Sequence, residues 1–250
     1  MKAIKTILAV CLLSLATAAS AQKTYVHITA NGTQYDFASD EITSMTMDTK
    51  APPTTGTAKA KLDGTTEVDV TWVQLWANGP KWATINVGVT STSATGTGLY
   101  GGYYCWGKTT NKDSGGAYDS STSTLGDTND TATQLWGSNW KMPTSTDLAN
   151  LLSTDYTDGG TWVTSYNSVS VNGLLVKGKP GTAYATNEVF FPAAGFSNLG
   201  DVDFVGYSGY YWSSSPYDDY LAYYLNFRSG DQYVDYNYKD YGFSVRAVVK

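Results

Sequence analysis

The sequence predicts an α+β chain: a small β unit followed by a larger domain of antiparallel strands, two short helices and long loops. Three observations predict it. Apolar residues alternate with period two along much of the chain, and helical spacing is confined to two short windows. The order is strands, helices, then many strands, which is not the pattern of a wound parallel sheet. The chain has 250 residues, enough to bury a core without staples, with 15% charged and 14% aromatic residues. So few charges beside so many rings argue against disorder.

Lys2 and Lys5 precede an apolar run at residues 7–15, and Ala19-Ser20-Ala21 offers a small-x-small cleavage site. Residues 1–21 therefore read as a secretory signal peptide. The run is too short for a membrane span, which takes about 20 apolar residues, and no second run follows. The expected location is the cell surface, the extracellular medium or the periplasm. Processing leaves 14 basic against 22 acidic residues and one cysteine, Cys105, so no internal disulfide is expected. Arg228 and Arg246 are the only arginines. Without a basic stripe, nucleic acid is excluded as a partner.

Residues 22–50 read as the small β unit, with strands at 25–28 and 35–37 around the turn pair Asn31-Gly32 and a further short strand at 40–45. Residues 51–62, rich in Pro, Thr, Ala and Lys without apolar period, read as a linker. The main domain, 63–250, opens with the alternations Val68/Val70/Trp72 and Ala83/Ile85/Val87 around a turn at Asn78-Gly79-Pro80. A long loop follows at 90–131, interrupted by Tyr103-Tyr104-Cys105-Trp106. Asp127 or Thr128 is placed to cap a first helix carrying Ala132, Leu135 and Trp136, with Gly137 after its end. Thr144 and Asp147 form a near capping box for a second helix with Leu148, Leu151 and Leu152 on one face. Val169/Val171, Asn172-Gly173 and Leu174/Val176 read as a hairpin. Residues 189–191 read as a short strand, and Phe243, Val245 and Ala247 alternate at the end.

Five motifs occur in order: Trp82-Ala83-Thr84-Ile85-Asn86-Val87-Gly88, Trp136-Gly137-Ser138-Asn139-Trp140-Lys141-Met142-Pro143-Thr144, Phe191-Pro192-Ala193-Ala194-Gly195, Tyr211-Trp212-Ser213-Ser214-Ser215 and Gly242-Phe243-Ser244-Val245-Arg246. Over about residues 66–248 the chain resembles the bacterial major paralogous domain (FISUMP type), common in secreted proteins of gut Bacteroidetes. The resemblance implies a C-type-lectin-like fold, in the branch that includes formylglycine-generating enzymes and the variable proteins of diversity-generating retroelements. It does not by itself imply a function.

Trp106, Trp136, Trp140 and Trp212 read as core rather than as a sugar-stacking platform, and Arg246 as a brace within the fold. The resemblance to formylglycine-generating enzymes lacks their cysteine pair, since only Cys105 survives processing. The sole histidine, His27, lies in the N-terminal unit, so no nucleophile–base set assembles. No enzyme activity, cofactor or metal is expected. The calcium triplets of C-type lectins are absent, and Asp127, Asn129 and Asp130 are explained by helix capping.

The most informative stretch is residues 207–241, where 11 of 35 residues are Tyr and seven more are Asp or Asn. Leu221, Tyr223, Leu225 and Phe227 share a core face by alternation, which leaves Tyr220, Tyr224, Asn226 and Arg228 on the other side. Residues 232–241 have too few aliphatics for a buried strand and are expected to display tyrosines. Exposed Tyr beside Asp, Asn, Ser and Gly is the composition of a recognition surface. The expected contacts are Tyr210, Tyr217, Asp218, Asp219, Tyr220, Tyr224, Asn226, Arg228, Tyr233, Asp235, Tyr236, Asn237 and Tyr238, with a protein or glycan as ligand. Tyr, Asp and Asn codons differ only in the first base. That is the set produced by adenine replacement in AAC or AAT, and it lies where retroelement variable proteins diversify. The function expected is ligand binding by a secreted or surface protein with a diversified site. The alternatives are a structural or adhesive surface protein, a carbohydrate-binding protein without a diversified site, and a formylglycine-generating-enzyme-like oxidase.

Overall fold

The computed structural model describes residues 25–30, 33–39, 53–111 and 124–250. The signal segment, the Asn31-Gly32 turn and the strand expected at 40–45 lie outside the described residues. The chain divides into two units, 1–52 and 53–250. In the first, β1 (Tyr25–Ala30) and β2 (Thr33–Ala38) pair antiparallel, with Tyr25 opposite Ala38. His27 Nδ1 lies 2.6 Å from the Asp36 carboxylate on an exposed face. That hydrogen bond, with a second from Gln34, holds the Asp36 pKa below its ordinary value.

The second unit is α+β. Its amino-terminal strands are β3 (Thr55–Lys61), β4 (Glu67–Gln74) and β5 (Lys81–Ala83). They share one five-stranded sheet with β6 (Trp140–Lys141) and β15 (Val248–Val249), in the order β3-β4-β5-β15-β6. Hence residues 55–61, read as linker, are corrected to a strand. The misleading feature was their small and polar side chains. β3 is an edge strand whose Ala60 is fully buried while its alternate positions are solvent-facing, so it needs little apolar content to pair. The alternation at 83–87 continues as buried loop, not strand, and Phe243, Val245 and Ala247 are buried just before the short β15.

The helices are α1 (Thr131–Trp136) and α2 (Ser145–Leu152). The cap of α1 is Asp130 rather than Asp127 or Thr128, and its carboxylate accepts from the amides of both Thr133 and Met142. One side chain thereby closes a helix start and ties it to the chain after β6. The capping box of Thr144 and Asp147 is present in full, and Leu148 and Leu151 are its buried face.

β7 (Thr161–Tyr166), β8 (Val169–Lys177) and β9 (Glu188–Pro192) form a three-stranded antiparallel sheet. The turn falls at Asn167-Ser168, both in the left-handed region with φ of 50° and 62°, not at Asn172-Gly173. Gly173 is instead mid-strand, because a β-carbon there would lie 2.3 Å from the Phe191 carbonyl oxygen. A small hairpin of β10 (Phe196–Asn198) and β11 (Asp201–Asp203) follows. β12 (Ser208–Pro216), β13 (Leu221–Arg228) and β14 (Asp231–Tyr238) form the last sheet, with β13 in the middle.

Trp106, Trp136, Trp140 and Trp212 are all buried, as expected. Arg246 is buried too. Its guanidinium donates to Asn86 Oδ1 and to the carbonyls of Ala83 and Phe190, each at 2.8 Å, and lies over the Phe191 ring. It is a brace, tying the start of the unit, β9 and the carboxyl-terminal segment together. No helix among the described residues is long and apolar enough to cross a membrane.

Candidate functional site

The candidate surface is the β12-β13-β14 sheet. Residues opposite one another share a face, so one face carries Tyr211, Leu225 and Val234, then Tyr223 and Tyr236, then Leu221 and Tyr238. The other carries Tyr210, Asn226 and Tyr233, then Trp212, Tyr224 and Asp235, then Ala222 and Asn237. The expectation of one wet face fails at β13. Tyr211, Leu225 and Phe227 join a core that includes Leu148 and Leu151 of α2, while Trp212, Ala222 and Tyr224 join a second core that includes Phe243. The central strand is therefore covered on both sides.

This corrects two of the expected contacts. Tyr224 is 6% and Asn226 4% exposed. Tyr224 packs against Trp212 and Phe243, and Asn226 Nδ2 donates to the Gly209 carbonyl. Burial, followed by the nearby Tyr233 and Asp235, pushes the Tyr224 pKa well above its ordinary value. Tyr210 is half-buried, in edge contact with Phe196. These three shape the support of the surface. Period-two alternation reported correctly which residues share a face; it carried no information on whether a second layer covers the other face.

The remaining tyrosines stand outward. Tyr217, Tyr220, Tyr233, Tyr236 and Tyr238 each keep 40% or more of their area exposed. Tyr217 stacks on Tyr236 with ring centroids 3.8 Å apart and planes 13° from parallel, and Tyr223 meets Tyr217 edge-on. The hydrogen bond with Tyr217 raises the Tyr236 pKa above its ordinary value. Tyr223, expected on the core face, is only half-buried and belongs to this cluster. Tyr233, Asp235 and Asn237 occupy the opposite face of β14. Arg228 sits at the far end of β13, in a long ion pair with Asp231 at 3.4 Å.

The loop between β12 and β13 holds four of the expected contacts. Asp218 turns its carboxylate inward along the chain to accept from the amides of Tyr220 and Leu221, at 2.8 and 2.7 Å. Its carbonyl and that of Asp219 accept from the Lys239 ammonium, at 2.8 and 3.1 Å. Lys239 is fully buried and its ammonium lies 4.5 Å from the Trp106 ring centroid. Burial lowers its pKa against the opposing pull of Asp218 and Asp219. Sequence reasoning missed this residue, although the one cation among residues 232–241 was the available signal. Removing the ammonium in Lys239→Met is expected to speed hydrogen exchange at the Tyr220 and Leu221 amides by about tenfold or more, read by mass spectrometry. Unchanged exchange there would show that the loop is held by other means.

β14 is a sheet edge whose amides are partly closed by its own side chains. The Tyr236 amide donates to Asp235 Oδ1 and the Tyr238 amide to Asn237 Oδ1, each at 2.8 Å. Asp235 and Asn237 therefore have a backbone role as well as an outward position.

Cys105 is buried and its thiol donates to the Asp240 carbonyl. His27 belongs to the other unit. Among the described residues, no group of three or more His, Cys, Asp or Glu side chains is placed to hold a metal ion.

The family described as a domain of unknown function (DUF8237) matches residues 177–248. This span runs from the end of β8 into β15 and contains the whole candidate surface. No curated protein and no solved structure matches the chain.

Proposed function

We propose that this is an exported recognition protein whose unit 53–250 adopts a C-type-lectin-like fold and binds a partner through the tyrosine-bearing end of its last sheet. The observation that carries the reading is the outward placement of Tyr217, Tyr220, Tyr233, Tyr236 and Tyr238 beside a loop and strand already fixed by buried side chains. Stiff aromatic side chains lose little conformational freedom on binding, and their hydroxyls retain directional bonding. Asp219, Asp235 and Asp240 add negative charge around them, which favours basic or hydrogen-bonding groups on the partner. The tyrosine cluster around Tyr217 and Tyr236 is the apolar anchor, and Tyr233, Asp235 and Asn237 extend the surface across the strand.

The reading includes diversification of this surface by a retroelement. Positions with outward side chains tolerate exchange among Tyr, Asp and Asn, whereas Tyr224 and Asn226 do not, because exchange there places a charge or a void in packed surroundings. Deep sequencing of the segment coding for residues 207–241 across a cell population is the test. The expected result is variation at adenine-derived codons for Tyr217, Tyr220, Tyr233, Asp235, Tyr236, Asn237 and Tyr238, with Tyr224 and Asn226 constant. A uniform segment, without a neighbouring near-copy differing at adenines, rejects diversification.

A further inference from the structure

A second feature lies at the opposite end of β13. From Tyr223, in the Tyr217–Tyr236 cluster, to Arg228 the strand runs about 17 Å at its usual rise, and Tyr233, opposite Asn226, lies between the two regions. Asp203, Phe204, Tyr207, Ser208, Arg228 and Ser229 line an open cleft of about 620 Å³, within the range of small-molecule sites of roughly 300–1,000 Å³. Tyr207 is 76% exposed, the most of any large apolar or aromatic side chain described, and Phe204 is also exposed.

The chain that presents these rings is fixed. The Phe204 carbonyl accepts from the amides of Tyr207 and Ser208, the Gly206 amide donates to the Ala193 carbonyl, and Asn172 Nδ2 donates to the Gly206 carbonyl. Phe204 itself has φ of 58°, a left-handed conformation that is costly for a bulky residue and concentrates at ligand-holding sites. Its ring stacks on Phe196 rather than entering the core. A strained backbone is thus held in place with two rings facing water.

The polar groups select the ligand. No hydrogen bond among the described residues engages the Asp203 carboxylate, and the Arg228 guanidinium has only the long contact to Asp231. Of the charged side chains lining the cleft, Asp203 disfavours an anion and Arg228 a cation; an uncharged ligand with many hydroxyls meets an acceptor and a forked donor together. Rings beside such a set match the apolar face of a pyranose. We infer that this cleft binds a neutral saccharide, without calcium, independently of the tyrosine-bearing end of the sheet.

Saturation-transfer NMR on the full chain tests this with neutral trisaccharides of glucose, mannose, galactose and N-acetylglucosamine, and with a galacturonate trimer as the charged comparison. At least one neutral trisaccharide is expected to bind with a Kd of about 1 mM or tighter in the presence of EDTA. Tyr207→Ala and Asp203→Asn, both at exposed positions, are each expected to weaken it about tenfold or more, while Tyr236→Ala leaves it unchanged. The inference is overturned by absence of transfer from every neutral trisaccharide, by binding that survives Tyr207→Ala, by loss in Tyr236→Ala, or by preference for the charged trimer. Those outcomes leave the reading of the tyrosine surface standing, since it rests on other residues.

Discussion

Tyr224→Ala is expected to lower the unfolding free energy by about 3–5 kcal/mol, the range for truncating a buried aromatic side chain. Tyr236→Ala, one position along β14 from the Asp235 that faces Tyr224, is expected to leave stability close to that of the parent. The two residues have the same chemistry and lie in paired strands, so the contrast isolates burial. Tyr224 packs against Trp212 and Phe243, so its truncation leaves a cavity in the core, whereas Tyr236 gives up an exposed stack with Tyr217. For a unit of this size the Tyr224 loss corresponds to a fall in melting temperature on the order of 10 °C. Thermal unfolding followed by circular dichroism separates the cases. Equal effects would contradict the division of the tyrosines into supporting and contacting sets.

The second large effect is expected at Arg246. Arg246→Met keeps much of the side-chain volume but strands three buried acceptors, Asn86 Oδ1 and the carbonyls of Ala83 and Phe190. Unpaired buried acceptors cost about 1–3 kcal/mol each, though not additively, so a loss of about 3–5 kcal/mol is expected in denaturant titration. Arg246→Lys preserves charge but offers a point donor in place of a fork, and is expected to recover only part of the loss. Full recovery by lysine would mean that the charge, rather than the geometry of the fork, holds the three segments.

Local features of the fold were legible in the sequence where one residue determines them. The Thr144–Asp147 box, the buried tryptophans and the bracing role of Arg246 are of this kind. What escaped depended on distant chain. β3 pairs because β4 offers it a ladder, not because its own residues demand one. Gly173 looked like a turn residue, yet it serves the close approach of β9. At the candidate surface, composition identified outward tyrosines in the loop and on β14, where one edge is open. It misplaced Tyr224, whose cover comes partly from Phe243 beyond the sheet, and Asn226, whose amide is tied to the Gly209 carbonyl, and it overlooked Lys239, whose ammonium is held by the distant Asp218 and Asp219 carbonyls and the Trp106 ring.

The self-closed rim of β14 bears on how the molecule behaves in a crowd. Strand edges left unsatisfied invite other chains to zip on, and the side chains of Asp235 and Asn237 decline that invitation at two successive amides. Swapping one of these for the other retains an acceptor oxygen in reach, while a phenol in either place takes it away. If these codons drift as a set, the repertoire is thinned from within: copies that surrender both oxygens become sticky, and colloidal good manners, as much as affinity, decides which versions persist.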